Sequence, residues 1–356
     1  MMQTLTKYIT DFTNIPSPTG YTEKVMDYLC HRLDQLNYDY QRTPKGGVLV
    51  EVKGANHQAA RLLTAHLDTL GAMVRAIKPD GRLKIDLVGG FGYPSIEGEN
   101  CLVHLAGQDK TISGTILMHQ TSVHVYKDAK TAERNQDNME VRLDAKVTNA
   151  EETKALGIQV GDFISFDPRT QVTESGFIKS RHLDDKVSAA ILLEFLDQLS
   201  HSDKKLPHTT YFYWSPFEEV GHGANSSIPN NVVELIAVDM GAMGDDQATD
   251  EYSVSICVKD ASGPYHYGLR KHLVQLAQDQ EIPYQLDIYP YYGSDASAAM
   301  SAGAEVRHGL FGAGIESSHS YERTHLDSVK ATYDLVTAYI YSSMLVSGGE
   351  LNEDFY

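Results

Sequence analysis

The hydrophobic pattern changes period twice along the chain. In "TEKVMDYLCHRLDQL", residues 22–36, Val25, Leu29, Leu33 and Leu36 recur at helical spacing, which predicts an amphipathic helix with Thr22 as N-cap. "GVLVEVKG" and "RLLTAHLDT" read as strands, the second apolar up to its polar end, like a buried strand of an α/β sheet. From about residue 72 to 167, short β-like runs alternate with turns: "GRLKIDLVGG", "CLVHLAGQDKTISGTILMHQ", "MEVRLDAKV" and "GDFISFD". One helical stretch, "NAEETKALGI", interrupts them. Beyond 168 helices and strands alternate again. "DKVSAAILLEFLDQL", "YGLRKHLVQLAQDQ" and "DSVKATYDLVTAYIYSSMLV" predict helices, and "TTYFYWSP", "VVELIAVDM" and "PYQLDIYP" predict strands. The expected fold class is α/β, a discontinuous domain of residues 1–71 and 168–356 interrupted by a small, mostly β domain over 72–167.

Composition narrows the functions open to this fold. The 356 residues carry a net charge of −18, so a basic face for nucleic acid or for an anionic membrane is not expected. Cys30, Cys101 and Cys257 are odd in number and far apart, which indicates neither a disulfide framework nor a thiolate metal site. The N-terminal segment lacks the basic start and apolar core of a signal peptide, and no apolar run has the length of a membrane span. A cytoplasmic protein is the expectation.

Three tripeptides then draw the eye: His66-Leu67-Asp68, His182-Leu183-Asp184 and His325-Leu326-Asp327. Along a strand, positions i and i+2 share a face, so His66 and Asp68 can sit side by side where a strand meets its loop. Open α/β sheets place their sites at such ends. A strand-end histidine with a local hydrogen bond explains the same residues equally simply. Asp184-Asp185 opens a helix, where acids complement the helix dipole, or where one carboxylate can span two cations. Glu218-Glu219 follows an apolar-aromatic strand, so charge interrupts a segment that should be buried. One acid of such a pair can bind metal while its neighbour takes a proton from water. Asp239 ends another apolar strand, as a ligand or as a helix cap. "GIESSHSYERTHLDSV" offers His319 in a loop after a strand and His325 at a helix start, with Asp327 as N-cap or first-turn acid. Together these are N/O ligands in the proportions of a two-metal hydrolase. Glycine-rich phosphate loops and a nucleophile elbow are absent from the sequence.

The ordered set resembles the TET-type metallo-aminopeptidases, metallopeptidase family forty-two, also described as glutamyl or deblocking aminopeptidases. The resemblance runs through "IPSPTGYTEKV", "TAHLDTLGAMV", "LGIQVGDFISFDP", "GFIKSRHLDDKVSAA", "EEVGHGA", "AVDMG", "GSDASAA" and "SSHSYERTH", nearly the whole chain. It implies a zinc-exopeptidase-like mixed sheet flanked by helices and a barrel-like β insertion for oligomerisation or substrate access. It also implies two divalent ions per subunit, Zn²⁺, Co²⁺ or Mn²⁺. In that family pattern His66 and Asp239 bind one ion, Glu219 and His319 the other, and Asp184 bridges them. Asp68 orients His66, and Glu218 is the general base. His319-Ser320 fits the last ligand motif better than His325 does. The resemblance further implies peptide substrates cleaved at the N-terminus and a homo-oligomer, up to a dodecameric shell. His182, where the family has a small residue, gives a likeness to a bacterial subgroup linked to an N-acetylglutaminylglutamine amide osmoprotectant system, and is expected to shape the pocket. The alternative activity is a dinuclear deacylase or amidase acting on a small acylated amino acid or dipeptide. A metal-independent glycosidase and a non-catalytic binding protein are more distant rivals.

Overall fold

The computed structural model describes residues 1–345. The chain begins with helices α1 (Met2–Asn14) and α2 (Glu23–Gln35), then strands β1 (Tyr40–Arg42), β2 (Val48–Val52) and β3 (Gly54–His66). Next come β4 (Gly71–Ile77), β5 (Leu83–Val88), β6 (Asn100–His104), β7 (Thr111–Met118), β8 (Met139–Leu143), the short α3 (Ala150–Ala155) and β9 (Phe163–Phe166). The chain continues through β10 (Gln171–Val172), β11 (Phe177–Ser180), α4 (Leu183–Ser200), β12 (Leu206–Ser215) and β13 (Val232–Val238). It then forms β14 (Gly241–Ala242), β15 (Val254–Asp260), β16 (Gly263–Pro264), α5 (Tyr267–Asp279) and β17 (Tyr284–Ile288). Helix α6 (Asp295–Ser301), β18 (Arg307–Ile315), β19 (Glu322–His325) and α7 (Leu326–Tyr341) follow.

Strands β4 to β9 close into an antiparallel barrel in the order β4-β5-β8-β7-β6-β9. Alternation places Val74, Ile85, Val103, Ile116, Val141 and Ile164 in its interior, a core of its own. The barrel hangs from the end of β3 and returns the chain to a mixed sheet of ten strands, whose main path is β1-β2-β12-β3-β13-β18-β15-β16. Strands β12, β3, β13 and β18 run parallel and form its centre. They are apolar on both faces because both are covered. Leu63, Phe212, Trp214, Ile236 and Phe311 pack in the cluster that includes residues of α1, α2, α4, α5 and α7. Leu62, Tyr213, Leu235, Ala237 and Leu310 pack in the cluster containing Ala296 and Ala299 of α6. None of the helices among the described residues is long and apolar enough to cross a membrane.

Several local expectations change. Thr22 occupies the cap position of α2, but its side chain makes no capping bond. His325 caps α7: its Nδ1 accepts from the backbone N–H of Asp327, which leaves Asp327 as a first-turn acid. That helix stops at Tyr341, short of its predicted end, and the last predicted residue, 346, lies outside the described residues. Helix α1 and strand β15 were not predicted. Leu5, Tyr8, Ile9 and Phe12 form the buried stripe of α1, interspersed with threonines that dilute the helical signal. Its C-terminus is completed from far away, since Lys186 Nζ donates to the carbonyls of Phe12 (2.8 Å) and Ile15 (2.7 Å).

Candidate metal centre

Parallel neighbours end along one edge of the sheet, so the loops after β3, β12, β13 and β18 converge there. The loop after β3 brings Asp68, following His66 on the last strand position. The turn after β12 carries Glu218 and Glu219, Asp239 directly follows β13, and His319 lies in the loop after β18. Asp184 enters from the start of α4, where it and Asp185 keep non-helical backbone angles before the regular helix begins.

Asp184 sits at the middle of the cluster. Its Oδ1 is 3.0 Å from His66 Nε2, and its Oδ2 is 3.3 Å from His319 Nε2. Glu218 Oε2 lies 3.6 Å from His66 Nε2, and Glu219 Oε2 lies 3.5 Å from His319 Nε2. Ligand atoms of His66, Glu218 and Asp239 lie within 4.8 Å of one another, as do those of His66, Asp184 and Glu219, and those of Asp184, Asp185 and Asp239. Each imidazole is turned by a carbonyl. His66 Nδ1 donates to the Asp68 backbone carbonyl (2.9 Å), and His319 Nδ1 donates to the Gly90 carbonyl (2.8 Å). Carbonyls only accept, so both Nδ1 atoms carry a proton and both Nε2 atoms face the acids, donating to Asp184 in the metal-free protein and free to ligate once that second proton is lost. His319 holds this position with a φ of 64°, uncommon for a residue with a side chain.

The Asp68 carboxylate does something other than hold His66. It is 3.6 Å from His66 Nδ1, while its oxygens accept from the backbone N–H groups of Glu218 (3.1 Å) and Glu219 (3.2 Å) and from Thr19 Oγ1 (2.7 Å). The backbone of Asp68 orients the imidazole, and its side chain fixes the turn bearing both glutamates.

Electrostatically the cluster is short of positive charge. Burial drives Glu219 up to about 8 and Asp239 up to about 7, with the Asp184 charge adding to both. Burial likewise pushes Glu218 well above the glutamate range, helped by Asp239, and Asp185 well above the aspartate range. The imidazoles move the opposite way to a solvent-shielded histidine. Burial would depress His66, but its bond to Asp184 and the surrounding acids raise it, and the same balance lifts His319 to about 10. Asp184 alone among the central acids is held low, because bonds from His319 and His66 outweigh its burial. Asp185 Oδ1 is buried with no hydrogen-bond partner. An orphaned oxygen, more acids than the two imidazoles can balance, and two Nε2 atoms aimed among them fit divalent cations.

All seven predicted site residues, His66, Asp68, Asp184, Glu218, Glu219, Asp239 and His319, thus meet in one place. His325 does not join them; it packs edge-on against Phe177 and caps α7. His182 does not shape the cavity beside the cluster. It is buried at the start of α4, where burial and the charges of Lys186 and Arg181 push it well below the histidine range. Glu322 was missed. It is buried, and its two oxygens accept from the backbone N–H groups of Asp184 (3.0 Å) and His319 (3.0 Å), tying the central acid to the last imidazole. Its only trace in the sequence is alternation in "ERTH", which turns Glu322 and Thr324 inward.

The family model for M42 glutamyl aminopeptidase matches residues 46–335. YhfE of Bacillus subtilis (strain 168), provisionally named an aminopeptidase, is 59% identical over 337 residues, covering 95% of this chain and 97% of the relative. The glutamyl aminopeptidase of Lactococcus lactis subsp. cremoris (strain MG1363) is 26% identical over 318 residues, covering 87% of this chain and 88% of the relative. Among solved structures, the Pyrococcus horikoshii TET1 peptidase, which can assemble into a tetrahedron or a large octahedral shell, superimposes with a TM-score of 0.83. Its identity is 22%, with 95% of this chain and 99% of that chain covered.

Proposed function

We infer the chemistry of this site from one premise: the chain belongs to the M42 glutamyl aminopeptidase family. It is a metal-dependent aminopeptidase, a hydrolase that acts on peptide bonds. Within that activity we assign His66 and Asp239 to one divalent cation, Glu219 and His319 to a second, and Asp184 to both. The observation that carries the assignment is Asp184, whose two oxygens face two different imidazoles. Bound there, divalent cations such as Zn²⁺, Co²⁺ or Mn²⁺ supply Lewis acidity that polarises a carbonyl and acidifies water.

Glu218 is the proton carrier. Its carboxyl lines the cavity beside the cluster while its backbone is held by Asp68. It takes a proton as water attacks the peptide carbonyl and returns it to the departing amine. Asp68 acts through the turn it holds, placing Glu218 and Glu219 in one rigid relation. The substrate is a peptide with a free N-terminus, whose ammonium group suits this acidic edge.

Residues 1–71 with 168–356 are read as the catalytic domain and 72–167 as an inserted domain for assembly or substrate access. Gly90 supports the second role, since a residue between β5 and β6 orients His319. A homo-oligomer, as large as a shell, is the corresponding assembly. The three free, buried cysteines support a reducing, cytoplasmic setting.

The test is a panel of aminoacyl-p-nitroanilides and acylated amides, run on metal-stripped protein and after restoring Zn²⁺, Co²⁺ or Mn²⁺. Release from free-amine substrates only after restoration is expected. Cleavage of acylated amides with free amines ignored would establish the deacylase instead.

A further inference from the structure

Beside the cluster opens a cavity of about 760 Å³, bounded on its far side by the segments around β14, β17 and α6. Building on the aminopeptidase reading, we propose that this cavity receives the substrate's N-terminal side chain and excludes acidic ones: the enzyme takes neutral and cationic N-terminal residues and discriminates against Glu and Asp.

The argument rests on charge and on where the wall's donors point. Among the described lining residues none is Lys or Arg; the lining acids Asp184, Glu218, Glu219 and Asp239 belong with His319 to the metal cluster, so the charge that decides is that of the wall away from it. Four polar side chains of the far wall spend their hydrogens away from the cavity. Gln247 Nε2 donates to Asp287 Oδ1 (3.0 Å) and to the Ile288 carbonyl (2.8 Å). Ser262 Oγ donates to Asp260 Oδ1 (2.6 Å), Tyr292 OH to the Met240 carbonyl (3.1 Å), and Ser297 Oγ to the Ser294 carbonyl (2.9 Å).

Asp260 and Asp287, behind this wall, are buried and held by uncharged donors. Tyr265, Ser262 and the Ser262 N–H serve Asp260; Gln247, Thr249 and the N–H groups of Thr249 and Ile288 serve Asp287. The nearby Lys259 does not line the cavity, and its Nζ is engaged by the Asp260 carbonyl (2.9 Å). A carboxylate entering here would leave water, find no Lys or Arg on the wall, and face the buried Asp260 and Asp287 carboxylates behind it. A neutral side chain meets Met240, Ala242 and the rings of Tyr289 and Tyr292 instead. A cationic one is drawn by the Asp260 and Asp287 carboxylates behind the wall.

Full-length, metal-restored protein is assayed with Leu, Met, Ala, Lys, Glu and Asp p-nitroanilides. The best neutral or cationic substrate should exceed Glu and Asp in kcat/KM by on the order of 10²-fold. Turnover of Glu or Asp within about tenfold of the best substrate overturns the proposal. A blank panel, with metal bound, overturns the aminopeptidase reading and this inference with it, a result distinct from a reversed ranking. The location is tested with Ser301→Arg, an exposed cavity-lining position on the last turn of α6 that makes none of the contacts at the cluster. The variant should raise the Glu-to-Leu ratio of kcat/KM at least about tenfold. An unchanged ratio in a variant with normal Leu turnover places the side-chain pocket elsewhere.

Discussion

Strand β13 carries a buried acid near each end. Glu234, near its start, meets Arg61 (3.3 Å) and Arg307 (3.4 Å), and receives a hydrogen bond from Tyr339 OH (2.8 Å). Burial alone would raise Glu234, yet these partners, Arg61 foremost, hold it below the ordinary glutamate range. Asp239, just past the other end, is as deeply placed but pairs with no Lys or Arg: acids, a backbone N–H, the Tyr292 hydroxyl and the shared His66 imidazole surround it, and burial carries it up to about 7. The protein neutralises one acid with its own cations and leaves the other, on our assignment, for a bound metal. A buried carboxylate therefore marks a site only when its compensation is missing. Glu140 in the barrel teaches the same lesson, since Lys78, Arg82 and His119 surround it and overcome its burial.

The contrast can be broken at either end. The largest effect expected is on turnover: Glu218→Gln should lower kcat by ~10²–10⁴-fold with metal content unchanged, because a proton carrier is removed and the ligands are not. Wild-type activity in that variant would end the assignment. At the compensated end, Arg61→Met removes the buried cation closest to Glu234, leaving it Arg307 and the Tyr339 hydroxyl, and should destabilise the protein by ~3–5 kcal/mol in urea melts. In the metal-free protein Asp239→Asn should instead be neutral or stabilising, since it removes a buried carboxylate that no Lys or Arg compensates. Comparable losses for the two variants would erase the distinction.

Asp184→Asn should weaken metal binding at both positions, read as less than two ions per chain by elemental analysis after dialysis. Two retained ions would refute its shared role. The smallest effect is on pH dependence. Glu219 and Asp239 keep protons that the unfolded chain has already released, so the metal-free protein loses stability as pH rises from about 4 through about 7 to 8. His319, raised to about 10, contributes stability that is likewise lost as pH climbs through that value. Cations displace these protons, so binding strengthens and the trend reverses when metal is present. Melting temperatures across that range, with and without Zn²⁺, check the sign; parallel curves would contradict it.

Three copies of His-Leu-Asp look alike in the chain and have three different fates. His66 and Asp68 straddle a strand end, and the side chain of Asp68 serves the neighbouring turn rather than the imidazole. In the second copy Asp184 reaches the cluster while His182 is buried away from the cavity. In the third, His325 caps a helix and His319, six residues upstream, takes the position at the site. The structure sets His319 rather than His325 beside the acids, and the path of β18 into its loop shows why.

Local pattern alone determined where apolar strands surrender to acids: after "LLTA", after "YFYWS" and after "LIAV". Burial has to be matched by hydrophobicity residue by residue, so strand ends are written in short stretches of sequence. What the chain could not state locally is which ends become neighbours. β12 slots between β2 and β3 although more than a hundred residues, including the whole barrel, intervene, and that pairing is what faces Glu218 toward His66. The same holds for Lys186 completing α1, for Gly90 turning His319 and for Glu322 clamping Asp184. Those are contacts between distant segments, set by sheet order and packing, and a single hydrogen bond across such a distance leaves no periodic trace in the sequence.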